Sequence, residues 1–365
     1  MRFSPVAKIR LSALQHNVAY LRRCAPDSKI LAMLKANAYG HGLVQIAQWF
    51  HGTNGIAGGV DGFGLARIEE ALILRNHGIN TRMVLMEGVF NETDLMQASL
   101  HCLDVVIHDA GQVAQITAAQ LNQPLTVWLK IDTGMHRLGV SPAQFQALYQ
   151  ALLASPNVRK PIHFMTHFAC ADELENPQTS QQITKFYQLV DSLPGDRTLA
   201  NSAGLLAWPS AHADWNRPGL ALFGANPLPV DKQQPSPLLP VMTMTSKVLA
   251  VRDVAAGEPV GYGQSWSSPQ ATRIAVVAMG YGDGYPRHCR TGTPVLINGQ
   301  RYPLAGRVSM DMLTVDVGQS AVQVGDNVVL WGEGLPVEEI AACADTIPYE
   351  LLCGTTARVQ YDYLA

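Results

Sequence analysis

Long apolar runs are missing from this chain: no stretch approaches about 18 uninterrupted apolar residues, so no bilayer-spanning helix is expected. The N-terminus, MRFSPVAKIRLSALQHN, interrupts any leader-like apolar segment with Pro5, Lys8 and Arg10, and a signal peptide is not expected. Charge is scarce too. Only 15% of residues are charged, the net charge is -3, and no Lys/Arg run exceeds Arg22-Arg23, which leaves no basic face for a nucleic acid. The six cysteines (Cys24, Cys102, Cys170, Cys289, Cys343, Cys353) show neither CxxC nor metal-finger spacing. They read as reduced core thiols, and the expected compartment is the cytoplasm. No nucleotide P-loop occurs, and GYGDGY lacks the strand-turn-helix setting of a dinucleotide fingerprint. His163 and His167 stand at helical spacing but on a strand-like run, so no metal pair is expected.

What is present is core. Hydrophobic residues make up 47% of 365, enough for one large barrel or two domains. Short apolar runs alternate with amphipathic segments: KILAMLK, DGFGLA, MVLME, CLDVVIH, LTVWLKID, IHFMTHF, TLANS and PGLALFG. Between them lie helical stretches such as RIEEALILRNHG, closed by Gly78, and SPAQFQALYQALLA, opened by Ser141 and Pro142. Apolar strands in repeated β-α units imply a parallel sheet covered on both faces. Eight such runs point to an α/β chain built on a (β/α)8 TIM-type barrel, with an open doubly wound sheet as the alternative on pattern alone.

The texture then changes. ANPLPVDKQQPSPLLP carries five prolines and no periodicity, as a linker does. Beyond it TSKVLAVRDV, RIAVVAM, PVLING, LTVDV and DNVVLWG alternate with glycine-rich turns. The expected division is a barrel over residues 1-237 and a mostly β C-terminal domain over 238-365.

Lys35 closes the apolar run ILAML and is followed by Tyr39 and a Gly40-His41-Gly42 turn. A lysine emerging from a barrel interior at the C-terminal ends of the strands is desolvated, which lowers its pKa and suits a Schiff base with an aldehyde cofactor. At this point the sequence resembles the alanine racemases, a family that joins a barrel to a β domain and uses pyridoxal 5'-phosphate. LKANAYGHG is similar to the family's cofactor-lysine motif, and further motifs recur in order as far as Tyr349.

The resemblance implies a residue-by-residue site. Lys35 would hold the cofactor and act as one base, and Tyr262 in VGYGQSW as the base on the opposite face. Inverting a Cα needs a proton removed from one face and returned on the other, which gives two bases a reason. His167 in MTHFACADE would pack on the cofactor ring, and Arg217 in DWNRPGLALFG would face the pyridine nitrogen. An arginine cannot accept that proton, so the ring remains a weak electron sink. In LKIDTGMHRLGV, Arg137 would contact cofactor and substrate carboxylate, and Lys130 matches a lysine carried by many members as a carbamate (N6-carboxylysine). Asn201, Ser202, Gly219, Leu220, Tyr39 and Tyr349 would serve the phosphate side and Met310, Asp311 and Tyr281 the substrate side. Some members have a histidine where this chain has Thr198, so the surroundings of Arg217 are expected to differ.

The same resemblance implies a homodimer in which Tyr262 reaches the partner's site, a small substrate such as alanine, and D-alanine supply for peptidoglycan. Three other readings compete with this one. A PLP-binding homeostasis protein would lack the β domain, and a decarboxylase would want an acid where Arg217 stands. A racemase of serine, or of a broader set of amino acids, shares all of these motifs.

Overall fold

The computed structural model describes residues 3-53, 59-229 and 237-365. The chain divides into two compact units, one comprising residues 17-222 and 226-237, the other 1-16, 223-225 and 238-365.

In the other unit, the opening strand β1 (Val6-Arg10) runs antiparallel to one strand and parallel to another of the C-terminal sheet. The expected domain division is therefore corrected at its start: the first 16 residues belong with the β domain. Burial alternates along β1, with Ala7 and Ile9 inside and Lys8 outside, so pairing fixes its register to one face.

The barrel closes through eight parallel strands in chain order: β2 (Lys29-Met33), β3 (Gly62-Leu65), β4 (Met83-Leu85), β5 (Asp104-Ile107), β6 (Leu125-Lys130), β7 (Val158-Met165), β8 (Arg197-Thr198) and β9 (Trp215-Asn216). Seven of the eight runs read from the sequence overlap these strands, TLANS by Thr198 alone. The eighth does not: PGLALFG holds a 3-10 turn over Leu220-Phe223, and the ring is closed by the two residues before Arg217. Leu31, Val84, Val106, Trp128, Met165 and Trp215 fill the centre, so the barrel is a packed core. Truncating a fully buried tryptophan such as Trp128 would cost about 3-5 kcal/mol.

The helices start where short polar residues satisfy their first N-H groups. Ser141 Oγ accepts from Gln144 N, with Pro142 opening the helix, and Asn91 and Asp109 cap the helices Glu92-Leu100 and Ala110-Ala118. Each cap contributes about 1 kcal/mol. Gly78, with φ +76°, ends the helix Ile68-Asn76 as expected.

The C-terminal sheet is built from β10 (Met242-Val254), β13 (Thr272-Val277), β14 (Pro294-Ile297), β15 (Gln300-Pro303), β16 (Leu313-Gly318), β17 (Asn327-Trp331) and β18 (Gln360-Leu364). A separate hairpin pairs β11 (Pro259-Val260) with β12 (Trp266-Ser267). None of the six cysteines is in a disulfide, and only Cys289 is buried, so as a set they are not the core thiols expected. Among the described residues, no helix is long and apolar enough to cross a membrane, and no cluster of three metal-binding side chains occurs.

Candidate active site

Strand β2 ends at Met33, and Lys35 opens a turn of unusual hand. Ala36, Asn37, Ala38 and Tyr39 have φ of 54, 56, 52 and 53°, a left-handed helical turn made of non-glycine residues. Each such residue costs roughly 1-2 kcal/mol relative to the right-handed form. Local bonds hold the turn: Ala38 N donates to Leu34 O at 2.8 Å, Gly42 N to Asn37 O at 3.0 Å, and Leu43 N to Asn37 Oδ1 at 2.8 Å. The fully buried His41 lies within reach of the Tyr39 and Ala38 carbonyls through Nδ1 (2.9 and 3.1 Å), which makes that nitrogen the donor. Burial pushes His41 down to about 4, so it stays neutral.

The buried Tyr39 ring approaches Gly219 so closely that a Cβ there would overlap its hydroxyl and sit 2.7 Å from Cζ. Glycine is required at this crossing. Gly219 N and Ala221 N both donate to Ser202 Oγ, at 2.9 and 3.2 Å. Asn201 caps the short helix Ser202-Ala207 through Gly204 N at 2.9 Å. Asn201, Ser202, Gly219 and Leu220 thus share one loop system, in which Asn201 and Gly219 already make bonds within the chain.

Arg217 is only 3% exposed and, among the described residues, has no carboxylate partner. Its guanidinium donates to Thr198 Oγ1 at 2.7 Å and to the carbonyls of Thr166 and Leu199 at 2.7 and 3.0 Å. It also meets His167 Nδ1 at 3.2 Å, which fixes that nitrogen as the acceptor and leaves Nε2 carrying the proton. Burial pushes Arg217 down to about 9. Burial, then the cations Arg217, Lys130, Arg137 and Lys35, hold His167 well below the ordinary imidazole range. Thr198 occupies the position flagged as a departure, and it supports Arg217 with a neutral hydroxyl.

Lys130, at the end of β6, is 6% exposed. Burial, then Arg217, Arg137 and Lys35, push its amine down to about 7. Asp132 acts on Lys130 in the opposite sense but is committed elsewhere: its Oδ1 accepts from the N-H groups of Gly134, Met135 and His136 at 2.9-3.1 Å. That arrangement shapes the loop carrying the exposed Arg137. Lys35, Lys130, Arg137 and Arg217 therefore act on one another's neighbourhood with little negative charge to offset them.

In the β unit, Tyr262 lies between Gly261 (φ 75°) and Gly263 (φ 72°) and is 67% exposed. The Arg307 guanidinium lies against this turn, 3.1 Å from where a Cβ on Gly263 would be. Tyr281 N donates to Ser309 O at 3.0 Å and Gly282 N to Met310 O at 2.8 Å, which brings Tyr281, Met310 and Asp311 together. Arg358 Nη2 donates to Asp311 Oδ1 at 2.7 Å, and its Nε faces the buried Asp283 at 3.1 Å. Tyr349, half-buried, sits in the helix Pro348-Cys353.

Residues 9-227 match the family description of the alanine racemase N-terminal domain, and residues 241-363 that of the C-terminal domain. The chain belongs to the alanine racemase family. It is 52% identical over 371 aligned residues to the alanine racemase of Shewanella frigidimarina, with 100% of each chain covered. It is also similar to the crystal structure of the biosynthetic alanine racemase of Pseudomonas aeruginosa, with a TM-score of 0.94, 44% identity and 100% of each chain covered. A crystal structure of alanine racemase from Bartonella henselae with covalently bound pyridoxal phosphate matches with a TM-score of 0.87 at 27% identity, again over 100% of each chain. The chain is an amino-acid racemase that interconverts L- and D-alanine, in a family that depends on pyridoxal phosphate in general.

The sequence did not mark every residue that shapes this enzyme's site. Gln182, fully buried on the helix Gln178-Val190, donates to His167 O at 2.9 Å and to Thr133 Oγ1 at 3.1 Å while accepting from Ala169 N. Arg358 and Glu70 were likewise unmarked. Glu70 carried one legible signal, an acid at the third position of its helix, where capping boxes place one.

Proposed function

We propose that this racemase carries pyridoxal 5'-phosphate on Lys35 and moves the Cα proton between Lys35 and Tyr262. One observation carries the reading: Lys35, Lys130, Arg137 and Arg217 crowd one end of the barrel, and their pKa-lowering effects on Lys130 and His167 meet opposition from Asp132 alone. Lys130 and Arg217 are buried cations, and positive charge held out of water favours an anionic occupant. The residues present fit the cofactor. Tyr39 and Ser202 flank the Gly219 crossing, with Asn201 and Leu220 beside it and Tyr349 in the other unit, and this set would serve the phosphate. When bound, the cofactor withdraws electrons and so acidifies the substrate Cα-H.

The chain's own groups divide the remaining work. Arg217 would face the pyridine nitrogen and, unable to take a proton from it, would keep the electron sink weak and disfavour side reactions. Neutral His167, with its proton on Nε2, would pack on the cofactor ring. Arg137 and Met310 would hold the substrate carboxylate, with Tyr281 and Asp311 at the approach. Lys130, with its amine at about 7, has a free lone pair near neutral pH that can attack carbon dioxide. Loss of one proton to water then leaves an N-carboxylate on Lys130, which would relieve the excess positive charge beside Arg137.

The exposure of Tyr262, Tyr281 and Met310 in the single chain supports a homodimer in which a second copy covers them. D-alanine supply for peptidoglycan in the cytoplasm completes the proposal. The test is the visible absorbance of the purified protein, followed by addition of L-alanine with D-alanine detection. A visible band lost in Lys35→Ala, and turnover lost in Tyr262→Phe with the band retained, are expected. No band even after added pyridoxal phosphate would overturn the cofactor reading.

A further inference from the structure

The first N-H groups of any helical turn lack partners inside it, and in the turn after Lys35 the orphan is Ala36 N. It donates to Glu70 Oε1 at 2.9 Å. The other oxygen of the same carboxylate accepts from Ala66 N at 2.7 Å and Arg67 N at 3.3 Å. Three backbone donors from two loops thus converge on one side chain. Those loops follow β2 and β3, which are neighbours in the barrel, and Leu34 N joins them again through Gly64 O at 2.9 Å. Bonds to an ionised carboxylate are stronger and more directional than those to a neutral acceptor.

We propose that Glu70 is a positioning residue for Lys35, fixing the direction of its side chain by anchoring the strained turn that begins at its own carbonyl. The proposal rests on the reading of Lys35 as the cofactor lysine. The Lys35 backbone is fixed on one side by the strand and on the other by a left-handed turn that L-residues do not hold unaided. Without Glu70 the amide nearest the lysine loses its acceptor, and the turn loses its link to the neighbouring loop. Among the described residues the Glu70 carboxylate bonds only backbone amides, so its influence on Lys35 passes through the main chain.

Helix capping is the competing role, because Glu70 also closes the start of the helix Ile68-Asn76. The experiment separates the two in the full-length protein loaded with pyridoxal phosphate. Glu70→Ala, Glu70→Gln and Ile73→Gly are compared; Ile73 is exposed on the same helix, so its substitution weakens the helix away from Ala36. Each is measured for kcat and KM with L-alanine, for the rate at which borohydride traps the cofactor on Lys35 by intact mass, and for Tm. Expected for Glu70→Ala is a fall of about tenfold or more in kcat and in the trapping rate, with KM changed much less. Glu70→Gln, which keeps one acceptor oxygen, recovers most of both, and Ile73→Gly lowers Tm without moving either. Wild-type trapping and turnover in Glu70→Ala would overturn the proposal, as would equal losses in Ile73→Gly. A wild-type chain never trapped at Lys35 would instead overturn the lysine reading, and the proposal with it.

Discussion

At the N-terminal end of the barrel Arg82 meets Asp104 at 2.6 Å and Lys29 faces Asp196 at 3.9 Å; at the C-terminal end the buried Lys130 is offset by Asp132, whose Oδ1 is already committed to a loop. The first end is closed on itself. Trp128 and Trp215 donate their indole N-H groups to Asp104 and Asp196, and the Arg82 guanidinium lies over both rings at 5.6 and 5.0 Å. Arg82 and Lys29 each have an acid within reach. At the other end desolvation prevails, and it appears as depressed basicity in Lys130, His167 and Arg217. One fold therefore separates charges that hold it together from charges reserved for a ligand.

That contrast can be broken at either end. The largest effect is expected from Lys35→Ala, a loss of activity on the order of 10^3-fold or more, read in racemase assays, with Tm of the cofactor-free protein little changed. Asp104→Ala should do the reverse: stability falls by about 2-3 kcal/mol in urea unfolding because the Arg82 guanidinium and the buried Trp128 indole N-H both lose their acceptor, while turnover per folded molecule persists. If Asp104→Ala lost activity without losing stability, the division between the two ends would not hold.

Lys130 sharpens the contrast through pH. Its folded-state value of about 7 lies below the ordinary 10.5, so between those limits the unfolded chain binds a proton that the folded chain does not. Stability of the cofactor-free protein in carbon dioxide-free buffer should therefore rise from pH 7 to pH 9, by about 1-2 kcal/mol, and Lys130→Met should flatten that rise. The smallest effect belongs to Ala36→Gly. Relief of the left-handed strain should outweigh the added chain entropy by at most about 1 kcal/mol, seen as a slight increase in Tm.

How far the sequence could be read follows from the range of each interaction. Seven barrel strands were legible because apolar runs and capped helices are local signals. The eighth was not, since PGLALFG is as apolar as a strand but Trp215-Asn216 makes the pairing, and short runs do not disclose which does. β1 carried the alternation of a strand, yet its partners lie at residues 242-245 and 360-364, which no local pattern announces. Chemistry-bearing residues such as Lys35 and Arg217 stood out by motif. Glu70, Gln182 and the bond from Arg217 to Thr198 arise from tertiary neighbours, and only the folded chain exposes them.

The turn after Lys35 has one consequence of handedness. Its backbone is the mirror image of the helix that L-residues prefer, so a D-residue would occupy it at ease. A semisynthetic chain with D-alanine at position 36, whose side chain is exposed, would take this shape without the penalty that the encoded residue bears. The enzyme thus holds its proposed cofactor lysine beside a stretch of backbone shaped as though it were built from its own product.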